Sequence, residues 1–209
     1  MKNNLTILSF FIILINLSLF SKIIEHPPQG NQENWKILQN DDSGIWIGYL
    51  ESTDITWART SSKLPYNIER VSSMIEDKGN YYKIFDRVTS SKIIKHDVVH
   101  IRVDMPYFIS DRDYVVRYNV ERTNNEISYK FESAKDIYIP EYGSSVRLPD
   151  AAGEWHLKKI NDSSTEVVYT WNGFLGGSFP SYALTKAWTT QGKEMIIWLE
   201  ESLNDRYPN

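Results

Sequence analysis

The sequence predicts an α+β domain in which a curved antiparallel sheet wraps around one long C-terminal helix. Three observations carry that expectation. Across the middle of the chain, apolar residues recur with period two, the mark of strands with one dry face. Short turn signals separate these runs. Only one long stretch, residues 180–203, instead repeats its apolar residues at three- and four-residue spacing, as a helix covering that face would.

Taken in order, the chain begins with Lys2 ahead of an apolar run over residues 5–19 that is interrupted by Thr6, Ser9, Asn16 and Ser18. That is the layout of a signal peptide, with Leu19 and Ser21 acceptable at a cleavage site, so residues 1–21 are expected to be an export signal or an uncleaved N-terminal anchor. Cleavage would start the mature chain near Lys22. Residues 22–34, with two prolines, a glycine and no hydrophobic period, read as a linker, and residues 35–209 as the folded domain. Three short strands follow in "WKILQ", "GIWIGYL" and "ITWARTSSKL", divided by "NDDSG" and "STD" into an antiparallel meander. After Pro65, the spacing of Ile68, Val71 and Ile75 predicts a helix capped by Asn67. "NYYKIF" is a helical turn or a loop.

Strands then return. "VVHIRVDM" puts Val99, Ile101, Val103 and Met105 on one face, and "DYVVRYNVE" does the same with Tyr114, Val116, Tyr118 and Val120. "EISYKFES", "GEWHLKKI" and "TEVVYTWNGF" extend the dry face through Ile127, Tyr129, Phe131, Trp155, Leu157, Val167, Tyr169 and Trp171. Opposite them the last helix offers Leu184, Ala187, Trp188, Met195, Trp198 and Leu199, with Pro180 near its start.

Composition narrows the function. The 209 residues are 41% hydrophobic and 24% charged, which suits one globular domain. A net charge of -4 offers no broad attraction for nucleic acid. Aromatics reach 13%, including 7 Trp and 13 Tyr, enough to fill a large core or to line a cavity for an apolar guest. With no cysteine there is no disulfide, thiolate ligand or thiol nucleophile.

Few residues are candidates for chemistry. His96 and His100 are four apart, but on a strand that spacing covers about 13 Å, too far for one metal, and they read as solvent-facing. His26 falls in the linker and His156 on a wet strand face. Ser178 in "LGGSFP" lacks the G-x-S-x-G spacing of a nucleophile elbow, and its glycines are better explained by close backbone approach. No phosphate-binding glycine loop is present. The triplet Asp111, Arg112 and Asp113 opens a strand directly after an apolar loop, where local ion pairs are the plain reading. No metal or cofactor is expected.

The order of three motifs is more specific. "MPYFISDRDYVVRYNV" (105–120), "VRLPDAAGEWHLKKI" (146–160) and "VVYTWNGFLGGSFPSYALTKAW" (167–188) together resemble the START family, the StAR-related lipid-transfer domains. The resemblance rests on Pro106 with Arg112, Asp113, Tyr114 and Val115, on Arg147 ahead of Gly153 and Trp155, and on Gly176, Gly177 and Pro180. It spans nearly the whole domain. It implies a helix-grip fold with a hydrophobic cavity between sheet and C-terminal helix, and a loop at the mouth formed by Met105, Tyr107, Phe108 and Ile109, with the charge triplet fixing the rim. An amphipathic helix before the first strand, seen in longer members, is missing.

With that fold, Val103, Tyr114, Val116, Tyr129, Trp155, Tyr169 and Trp171 face Trp188 and Met195 as cavity lining, joined by Arg147 from the second motif. The expected function is that of an exported, monomeric carrier or sensor for a lipid or other hydrophobic small molecule, in transient contact with membranes and without enzymatic activity. The alternative is a helix-grip enzyme of the cyclase or hydrolase type, for which Arg147, Glu141 and Tyr142 are the candidate acids or bases. A third reading is an envelope interaction protein with a filled core.

Overall fold

The structure, a computed structural model, describes residues 26–29, 32–52, 55–106, 109–141, 143–176 and 179–208. The expected export segment, residues 1–21, lies outside them, as do Tyr107, Phe108, Tyr142 and Ser178.

The meander appears as β1 (Lys36–Asn40), β2 (Ile45–Glu51) and β3 (Thr56–Leu64). Helix α1 (Ile68–Glu76) begins where the Asn67 side chain accepts a hydrogen bond from the Arg70 amide at 2.9 Å, satisfying a donor that the first turn leaves unpaired. A 3-10 turn (Lys78–Asn80) leads into the short α2 (Tyr81–Ile84). Then come β4 (Val88–Lys95), β5 (Val98–Val103), β6 (Arg112–Arg122), β7 (Glu126–Ser133), β8 (Val146–Arg147), β9 (Ala152–Asn161), β10 (Ser164–Asn172) and the long helix α3 (Leu184–Arg206).

All ten strands form one sheet in the order β1-β2-β3-β10-β9-β7-β6-β5-β4, with β8 beside β6. Two meanders, β1 to β3 and β4 to β7, are thus joined through the β9–β10 hairpin, which pairs β3 on one side and β7 on the other. Every neighbouring pair is antiparallel except β6 with β8.

Alternation then sorts the side chains. Ile47, Ala58, Val99, Ile101, Val116, Tyr118, Tyr129, Phe131, Trp155, Leu157, Val167, Tyr169 and Trp171 share one core cluster with α1, α2 and α3. Burying each of the larger of these is worth about 1.5–3 kcal/mol, which is why the period-two pattern decides the inner face. Close contact shapes the packing at Gly153 and Gly192. A Cβ on Gly153 would sit 2.4 Å from the Phe131 ring and from the Thr170 carbonyl oxygen, and one on Gly192 would come within 3.2 Å of Thr60. The first glycine keeps β9 in register beneath Phe131, and the second lets α3 lie directly on β2 and β3.

The outer face has its own cover. Residues read as linker lie across the strands: Gln29 donates to Glu154 at 2.9 Å, Pro28 accepts from the buried Arg59, and Gln32 donates to Ser61 at 3.1 Å. Trp35, Trp46, Ile55, Trp57 and Ala152 form a second cluster there, and Arg59 stacks on the Trp35 ring at 4.2 Å. Burial pulls the Arg59 pKa down to about 10, partly opposed by Glu154.

Candidate ligand site between the sheet and the C-terminal helix

The floor of the site is a ladder of aromatic rings. Register places Tyr129 beside Trp155 and Trp155 beside Tyr169 across β7, β9 and β10, and cross-strand neighbours on one face are close enough for rings to meet. Trp155 stacks on Tyr169 at 4.2 Å, Tyr169 on Trp171 at 5.0 Å, and Phe85, entering from the end of α2, on Trp155 at 5.8 Å. Phe131 stacks on Tyr169 at 6.4 Å and tilts against Tyr118 at 5.5 Å. Phe85 was not among the expected lining residues, because "NYYKIF" is too short to show which side it buries.

The roof is α3. Its buried stripe is Trp188, Gly192, Ile196, Leu199 and Leu203, which corrects the expected one: Met195 and Trp198 are half-buried flanks, and the centre line passes through a glycine that carries no hydropathy signal. Trp188 donates its indole N–H to the Gly173 carbonyl at 2.9 Å and packs on Tyr49 at 5.2 Å, pinning the start of the helix to the sheet.

Where the mouth is expected, Arg112 and Asp113 divide their labour by strand parity. Arg112 shares its face with Tyr114 and donates to the carbonyls of Ser110, Leu175 and Gly176. It therefore ties the loop before β6 to the segment that leads into α3. Asp113 points to the outer face, fully buried, and accepts from His100 at 2.7 Å and from Arg147 at 2.9 and 2.7 Å. Burial alone would raise the Asp113 pKa, but Arg147 and His100 outweigh it and hold the carboxyl below its ordinary range.

Two expectations are corrected here. Arg147 does not line the inner face, because its guanidinium is held on the outer side by Asp113 and by the Ile139 carbonyl. His100 is not solvent-facing: it is buried against Asp113. His96 is exposed in the β4–β5 turn, and His156 pairs with Glu126 at 3.4 Å. Glu141, the other candidate acid among the described residues, is exposed.

Of the remaining lining residues, Val116, Tyr129, Trp155, Tyr169, Trp171 and Trp188 are buried in the main cluster, whereas Val103, Tyr114 and Met195 pack against it and keep accessible surface. Tyr114 combines that surface with a hydroxyl whose pKa burial pushes up to about 12. Tyr118 and Tyr169 are also raised well above the ordinary tyrosine value, first by burial and then by the neighbouring tyrosines. Met105 and Ile109, at the two described ends of the mouth loop, are half-buried. A separate cleft of about 280 Å³ lies on the outer face, between His26 and Pro27 and strands β6, β7 and β9.

Comparison with known proteins bears on the fold. No family model matches the chain. An uncharacterised protein of Pseudomonas aeruginosa is 24% identical over 155 residues, 72% of this chain and 77% of that one. Among solved structures, a STAR-related lipid transfer protein fragment from Xanthomonas axonopodis superposes with a TM-score of 0.72 at 21% identity, covering 82% of this chain and 99% of its own. Human StAR-related lipid transfer protein 5 gives 0.73 at 17% identity, over 85% and 89%. The Zhui aromatase/cyclase from a Streptomyces species gives 0.51 at 15% identity, over 73% and 96%. The large antiparallel sheet with the long α3 packed on it is thus that of the START domains, and this chain has their helix-grip fold.

Proposed function

We propose that the protein is an exported carrier that holds one lipid or other hydrophobic small molecule between the inner face of the sheet and α3, without chemistry. The observation that carries this reading is the unfinished apolar seam at Val103, Tyr114 and Met195. These three lie beside a fully packed aromatic ladder yet remain accessible. Apolar surface left open next to such a ladder is stabilised by an apolar guest, at about 0.8 kcal/mol for each methylene buried. A lipid leaving a membrane is already dry, so uptake depends on fit and on an opening mouth. The START-type neighbours support the binding role, since two of them are described as lipid transfer proteins.

Native mass spectrometry of the purified domain, followed by organic extraction, tests the reading. A copurifying lipid in near-stoichiometric amount is expected. Protein that emerges empty, and that takes up no hydrophobic probe, sinks it in favour of a filled core.

A further inference from the structure

Lys78, in the turn between α1 and α2, places a charge against the inner side that packing does not explain. Its ammonium stands 4.8 Å from the centre of the Tyr118 ring and 5.8 Å from that of Tyr129, so it reaches over the inner face of β6 and β7. The two acids beside it in sequence are committed elsewhere. Asp77 pairs with Arg206 at 2.7 Å, and Glu76 takes Arg122 and the Tyr129 hydroxyl. Burial lowers the Lys78 pKa, and no acidic neighbour among the described residues opposes it. The aromatic faces offset only part of the cost of drawing an ammonium out of water, and an anion would offset the rest.

Tyrosine hydroxyls lie close by. That of Tyr118 adjoins Tyr81, whose own proton goes to the Ile75 carbonyl, and Tyr114 and Tyr169 lie in the same buried neighbourhood. Tyr114, the member that keeps accessible surface, lies four residues along β6 from Tyr118, towards the mouth.

We propose that Lys78, with the Tyr118 and Tyr114 hydroxyls, forms a head-group subsite, and that the bound molecule is a single-chain amphiphile with a carboxylate head. This rests on the carrier reading above. One cation with neutral donors matches a monoanion. A phosphate monoester would bring a second negative charge, and the next cation, Arg122 against the Tyr129 ring, is already held by Glu76; a neutral head would leave the ammonium unpaired. The head then lies inward and the chain runs past Tyr114 and Val103 to the mouth.

The test compares cis-parinaric acid with its methyl ester, by fluorescence, in the wild-type domain and in Lys78→Met, Lys78→Arg and Tyr118→Phe. The wild type should bind the acid at least roughly tenfold more tightly than the ester. Lys78→Met should remove that preference while keeping ester binding, with a melting temperature no lower than wild type, because it breaks no ion pair. Lys78→Arg should restore part of the preference, and Tyr118→Phe should weaken the acid alone. Equal binding of acid and ester by the wild type overturns the head-group assignment and leaves the carrier reading standing. Loss of both ligands in Lys78→Met also overturns it, by making Lys78 a structural residue. Binding of neither ligand to the wild type removes the carrier reading and this inference together.

Discussion

Arg147 in β8 donates two N–H groups to one carboxylate oxygen of Asp113 in β6, at 2.9 and 2.7 Å, from the parallel register position directly beside it. The pair, with His100, locks the two-residue strand onto the sheet where β7 has ended. Because the folded pKa of Asp113 is depressed, its contribution to stability is full above the ordinary aspartate value of about 3.9 and is lost as pH falls through the lower folded value. Asp113→Asn should destabilise the domain by about 3 kcal/mol at neutral pH, since it strands Arg147 and His100. Thermal melts through the acid range should show the difference from wild type shrinking only below about pH 4. A constant difference would mean that the carboxylate is not the group responsible.

Arg112 is the other half of the rim. Its donors hold the carbonyls of Ser110, Leu175 and Gly176 together, so Arg112→Ala should cost about 2–4 kcal/mol and speed exchange of a soluble probe in the same variant. Unchanged exchange with lowered stability would separate the anchor from the mouth.

Filling the seam distinguishes a cavity from a core. Val103 is half-buried at the seam, whereas Val116 is fully buried in the main cluster. Val103→Trp should abolish probe uptake with little change in melting temperature. Val116→Trp should overpack the core and destabilise by about 1–3 kcal/mol. If Val103→Trp binds as well as wild type, the guest lies elsewhere.

Membrane contact should be made by the segment that Arg112 holds. Phe174 is 63% exposed there and Tyr182, just before α3, is 88% exposed. Phe174→Asp should slow transfer from lipid vesicles several-fold, because a charge opposes entry into the interface. Its stability and its binding of a dissolved probe should stay near wild type. An unchanged vesicle rate points contact to another face.

The sequence by itself determined which face of most strands is dry, because a period of two leaves no freedom once one side is apolar. It also determined the cap at Asn67, the strand start at Arg112 and the existence of a long final helix. It did not reveal β4, whose "VTSSKIIK" leaves Ile93 exposed on a sheet edge and so carries no clean alternation. Nor did it reveal the outer cover of residues 26–29 and 32–35, which holds by hydrogen bonds and ring contacts rather than by a hydrophobic period. Only tertiary structure decided where Arg147 points, since a two-residue strand takes its parity from its partner. The same holds for the line of α3 through Gly192, set by how closely two backbones approach, and for Lys78, whose place over Tyr118 and Tyr129 joins a turn to strands that no local pattern connects.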